Sequence, residues 1–143
     1  MKYFKLSEFA CNCGCGKNKI NRTFVRILSS ARQESINQDL TEIPFVISSG
    51  YRCENHIESK KYVKNHPIKK GEKQLTSEHT KGIAVDIVVK NSRERAVILG
   101  ALMNSGLSRF GISHNRNGFS FIHVDMGDMI ENSSKPSGVI WTY

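Results

Sequence analysis

Residues 77–86 read Ser77-Glu78-His79-Thr80-Lys81-Gly82-Ile83-Ala84-Val85-Asp86, a pattern S-x-H-x-x-G-x-A-x-D that turns directly into a strand. Gly82 permits the turn. Residues 83–89 are β-branched and mostly apolar, which predicts a buried strand. Alternation puts Ile83, Val85, Ile87 and Val89 on one face and Ala84, Asp86 and Val88 on the other. A carboxylate on the inner stretch of such a strand needs a partner, because an unpaired buried charge is costly. A second strand is predicted over residues 119–126, with Phe119, Phe121, His123 and Asp125 on one face and Ser120, Ile122, Val124 and Met126 on the other. The imidazoles of His79 and His123 and the carboxylate of Asp86 fill three corners of a zinc tetrahedron and leave the fourth for water, as in a hydrolytic zinc site. One catalytic zinc ion is the cofactor this set implies. Ala84 is small and is expected to leave room beside Asp86. Asp125, roughly 6–7 Å from His123 along its strand, has three roles open to it: orienting a ligand, acting as general base through water, or binding a basic group on a substrate.

The rest of the chain supplies a frame for these two strands. Phe24, Ile27, Leu28 and Ala31 recur at helical spacing and predict a helix over residues 23–37. Pro44 ends the connection, and residues 45–48 read as a short strand. A second helix is predicted over residues 53–63, and residues 65–76, with Pro67 and Gly71, as a loop flanking a cleft. Asn91, with Glu94 three positions later, opens a third helix that runs to about Asn104 and is capped by Gly106. Residues 109–113 and 119–126 form a predicted hairpin across Asn115-Arg116-Asn117-Gly118. Residues 139–142 add an edge strand. Helices packed on a small antiparallel sheet make an α+β domain.

At 143 residues the chain suits one domain with a real hydrophobic core. With 38% hydrophobic and 24% charged residues, it is neither disordered nor membrane-spanning in composition. No apolar run approaches the ~20 residues of a transmembrane helix. The formal charge of +8 favours anionic partners: wall polymers, membrane surfaces or nucleic acid. Lys60, Lys61, Lys64, Lys69, Lys70 and Lys73 crowd one stretch, but only Tyr62 interleaves as an aromatic, so nucleic acid is not expected. The cysteines are Cys11, Cys13, Cys15 and Cys53. Their C-x-C-x-C spacing is not a C-x-x-C zinc knuckle, and three fates stay open: a structural metal, a disulfide to Cys53, or free thiols stitching the N-terminus to the turn at Gly50-Tyr51-Arg52.

The S-x-H-x-x-G-x-A-x-D run followed by Phe121-Ile122-His123-Val124-Asp125 resembles the zinc D-Ala-D-Ala carboxypeptidase and L-alanyl-D-glutamate endopeptidase family, which shares its fold with hedgehog signalling domains. Ile47-Ser48-Ser49-Gly50-Tyr51-Arg52-Cys53 resembles the family's S-G-Y-R segment. The opening Phe4 to Gly16 resembles small phage-type members, and Trp141 their terminal aromatic. The resemblance implies that His79, Asp86 and His123 bind zinc, that Arg52 holds a substrate carboxylate or carbonyl, and that Ser77 binds substrate or supports the first ligand. It implies hydrolysis of an amide bond in a peptidoglycan stem peptide, with zinc acidifying water and polarising the scissile carbonyl. Many relatives carry an acid three residues before the last zinc histidine; here that position is Ser120. Asp125 is then the expected general base and His114 the runner-up.

The opening Met1 to Lys5 has no apolar segment of a secretory signal. A wall-cleaving enzyme of this kind is expected to be made in the cytoplasm and to reach the wall after lysis or as part of a virion. A monomer is expected. Two rival readings stand beside the enzyme: a wall-binding protein on the same fold with zinc retained and catalysis lost, and a basic zinc protein acting on nucleic acid.

Overall fold

In the computed structural model, residues 2–39, 42–114 and 120–143 are described. A short 3-10 turn (Leu6–Phe9) precedes helix α1 (Arg22–Asp39), strand β1 (Val46–Ser49), helix α2 (Ile57–Asn65), strand β2 (Ala84–Val89), helix α3 (Ser92–Asn104) and strands β3 (Arg109–Ser113), β4 (Ser120–Asp125) and β5 (Val139–Thr142). The strands form one sheet in the order β1-β2-β4-β3-β5.

The helices form where local sequence stops competing with them. Asn21 caps α1, its Oδ1 accepting from the backbone N–H groups of Thr23 (2.9 Å) and Phe24 (3.1 Å). Asn91 caps α3 by accepting from Glu94 N–H at 2.8 Å. Gly106, at φ +91°, follows the end of α3. Helix α2 starts later than its sequence predicts. His56 takes the cap position, its Nδ1 accepting from Glu58 N–H, while Cys53 to His56 form a turn closed by His56 N–H on Cys53 O.

The apolar stripes of α1 and α3 close one core against one face of the sheet. Phe24, Leu28, Ile98 and Leu102 meet Val85, Ile87, Phe110, Ile122 and Val124 there. The predicted alternation of β2 and β4 therefore stands: their apolar faces are in the core, and Asp86, His123 and Asp125 point to the opposite side, where a cavity opens.

The α+β class is as expected, but the sheet is mixed rather than wholly antiparallel. Strand β5 runs parallel to β3. The connection from β4 to β5 reverses the chain, so β5 runs opposite to β4 and along its antiparallel neighbour β3. The predicted turn at Asn115-Arg116-Asn117-Gly118 lies outside the described residues, as does Phe119. No helix among the described residues is long and apolar enough to cross a membrane. None of the four cysteines is in a disulfide, with Cys11 and Cys53 buried and Cys13 and Cys15 exposed; the disulfide alternative is not taken.

Candidate metal centre

Strand register builds the site. Asp86 on β2 pairs directly with His123 on β4, His123 with Gly111 on β3, and Gly111 with Trp141 on β5. One row of side chains thus crosses four strands. In the adjacent row Ala84 faces Asp125 and Asp125 faces Arg109. Gly111 is the gap in the first row. A Cβ there would lie 2.6 Å from Trp141 Nε1, so only glycine lets the indole lean over the sheet to 5.5 Å from the His123 ring.

His79 enters from the loop before β2. That loop is a tight turn: Lys81 N–H donates to Ser77 O, Gly82 N–H to His79 O and Ile83 N–H to Glu78 O. Gly82 carries it at φ +74°, and a Cβ there would lie 2.0 Å from Lys19 O. Ser77 Oγ accepts from Thr80 N–H at 3.3 Å, which supports the loop that presents His79.

Three acceptor atoms converge. His79 Nε2 lies 3.3 Å from Asp86 Oδ1, His123 Nδ1 lies 3.0 Å from the same oxygen, and the two ring nitrogens are 3.2 Å apart. The opposite nitrogens are committed elsewhere. His79 Nδ1–H donates to Gly50 O at 2.7 Å, and a carbonyl can only accept, so Nε2 presents its lone pair. His123 Nε2–H donates to Asp125 Oδ2 at 3.0 Å, which turns Nδ1 the same way. Two ring nitrogens and a carboxylate oxygen in contact need a cation among them, a proton in the metal-free cluster or a metal ion in its place. The donor set therefore fits a metal ion, and the carbonyl and carboxylate behind the imidazoles are the outer partners that metal-binding histidines take.

The charges around the cluster are paired. Burial opposes ionisation of Asp86, yet the imidazoles of His123 and His79 beside it hold its carboxyl well below the usual range. Arg52 Nη2 donates to Asp86 Oδ2 at 2.8 Å, and Arg52 Nε to Ser49 Oγ at 2.9 Å. Arg52 therefore steadies a candidate ligand while its side chain still lines the cavity. Both oxygens of Asp125 accept: Oδ1 from Arg109 Nε (2.7 Å) and Gly127 N–H (2.8 Å), and Oδ2 from His123. Against the opposing effect of burial, hydrogen bonds from His123 and Arg109 lower its pKa.

The cavity above the cluster measures about 690 Å³. His79, Asp86, His123, Asp125, Arg52 and Ser77 all line it. His114 does not; it is exposed at the end of β3, 3.5 Å from Arg95 Nη2 and from Ser120 Oγ. Ala84 is not in the wall either, being the cross-strand neighbour of Asp125 instead. Ser120, the position where many relatives carry an acid, lies away from the cluster. On the unbroken strand β4 it is an odd number of residues from His123, so its side chain projects from the opposite face.

Glu78, Arg109 and Tyr143 are among the cavity residues that the sequence did not single out. Glu78 sits inside the motif next to His79. Its Oε1 is buried without a hydrogen bond, 3.4 Å from Lys135 Nζ and 3.6 Å from Lys81 Nζ. Arg109 carries no local signal, because only register brings it under Asp125 and under the Trp141 ring.

A model of the peptidase M15 family matches residues 2–125, a span that takes in every converging ligand and Asp125. No curated protein matches the chain. Matched over most of its length, the chain belongs to the peptidase M15 family of zinc-dependent metallopeptidases.

Proposed function

We propose that residues 1–143 form one zinc peptidase domain that hydrolyses an amide bond in peptidoglycan stem peptides, as a D,D-carboxypeptidase or as an L-alanyl-D-glutamate or D,D-endopeptidase in an endolysin-like setting. The observation that carries the reading is the convergence of His79 Nε2, His123 Nδ1 and Asp86 Oδ1 on the wall of an open cavity. These three would hold zinc, which when bound would supply the Lewis acidity that acidifies water and polarises a carbonyl.

The protein's own groups divide the remaining work. Arg52, already bridging Asp86 and Ser49, turns its remaining amino group toward a substrate carboxylate or carbonyl, which a planar guanidinium suits. Ser77 acts through the loop that carries His79. Asp125 takes the first of its three roles: with both oxygens occupied, it fixes the tautomer of His123 rather than collecting a proton from water. Glu78 is a cavity carboxylate with a buried oxygen that accepts no hydrogen bond, and we assign proton transfer at Oε1 to it. Lys81 and Lys135 flank that oxygen at 3.6 and 3.4 Å.

The test is digestion of purified peptidoglycan with and without a chelator, with fragments identified by mass spectrometry. Chelator-sensitive release of a defined stem fragment is expected, and the fragment names the bond. A protein that holds zinc in the His79 site yet releases nothing would be the wall-binding form instead.

A further inference from the structure

The second cluster of ligand-type side chains lies outside the cavity. We propose that Cys11, Cys13, Cys15 and Cys53 form a structural metal site for a thiophilic divalent cation, zinc foremost, that locks the rim of the cavity. All four sulfurs lie within 4.8 Å of one another. The Cys11 and Cys13 sulfurs are 3.4 Å apart and those of Cys13 and Cys53 3.6 Å. Four thiolates around one zinc at ≈ 2.3 Å place their sulfurs roughly 3.8 Å apart. A disulfide would draw two of them to about 2.05 Å and leave the other pair unexplained.

Local structure is arranged for this meeting. Alternate cysteines on an extended chain stand roughly 6–7 Å apart, too far for one ion. Glycines at 14 and 16, both in the left-handed region, curl the loop, and Cys11 N–H on Lys17 O closes it. Backbone amides then point at the sulfurs: Cys53 N–H at Cys11 Sγ (3.3 Å) and Lys17 N–H at Cys15 Sγ (3.4 Å). Such donors stabilise thiolate charge. Tyr51 packs over the buried pair Cys11 and Cys53. Four protein ligands leave no open position, so the site is structural rather than catalytic.

Its placement gives it a purpose. Asn12 lies between two of the ligands, and its Oδ1 is 2.8 Å from His56 Nε2; both residues line the cavity. Arg52 directly precedes Cys53, and its N–H donates to His79 O. An ion among the sulfurs therefore ties the N-terminal loop to the segment that holds His79 and Asp86.

The experiment is elemental analysis of the full-length protein purified under reducing conditions with zinc. About two zinc ions per chain are expected, falling to about one in Cys13→Ser/Cys15→Ser and to about one in His79→Ala. In His79→Ala, cobalt(II) is expected to give an intense thiolate-to-metal charge-transfer band that further substitution of Cys13 and Cys15 abolishes. If the double variant does not fold, the cobalt band in His79→Ala alone decides. About one zinc per chain, lost entirely in His79→Ala and with no thiolate band, would overturn the proposal. None of these readouts depends on peptidase activity.

Discussion

His123 stands between two carboxylates, and that position sets how a metal must enter. Burial opposes its charge, but hydrogen bonds to Asp125 and Asp86 push its pKa up to about 9. His79 moves the other way, lowered first by burial. A zinc ion entering at pH 7 must therefore displace the proton of His123, and about one proton per ion is expected in solution. Calorimetry in buffers of different ionisation enthalpy measures it, and zinc affinity should climb with pH until about 9. The same shift makes His123 stabilise the zinc-depleted fold fully below 6.5, a contribution lost as pH rises through about 9. The two acids behind the site separate by readout. Glu78→Gln is expected to lower kcat by about 10²–10⁴ with zinc retained. Asp125→Asn is expected to weaken zinc binding by about 10–100-fold, read by competition with a chromophoric chelator. Unchanged turnover in Glu78→Gln would return the base role to another group.

At the scale of elements, the loop of residues 77–82 and strand β2 act as one unit. Gly82 was legible in the sequence as a turn, but its second task was not: its backbone passes so close to Lys19 O that any Cβ would collide. Gly82→Ala is expected to cost about 2–3 kcal/mol, combining left-handed strain with that contact. A lower urea midpoint at constant slope would be the signature. The faces of β2 and β4 were legible because side-chain alternation is a local property. The direction of β5 was not, since it depends on how the chain returns from β4. The start of α2 was misplaced for a related reason: the Cys53 backbone is drawn toward Cys11, and His56 caps the helix instead.

For the whole molecule, the site is held by segments far apart in the chain. His79 is anchored by Gly50, Asp86 by Arg52, and His123 by Asp125, itself held by Arg109. Zinc binding should therefore raise global stability rather than order one loop. At free zinc a hundredfold above Kd, a single site contributes about 2.7 kcal/mol. A thermal scan should show Tm falling on chelation and recovering when zinc is restored. Equal Tm with and without chelator would mean that the cluster is ordered by protein contacts alone.

The sequence by itself determined the ligand types, the glycine turn and the faces on which Asp86, His123 and Asp125 lie, because each follows from spacing over a few residues. It also placed the core stripe of α1. Only the tertiary structure decided what the neighbouring groups touch. Arg52 and Asp125 are spoken for by Asp86 and His123, His114 is left outside, Glu78 is brought in, and Cys53 joins three cysteines some forty residues before it. Those assignments depend on which atoms meet when distant strands and loops pair, and hydrogen-bonding capacity can be judged spent or free only after they have met.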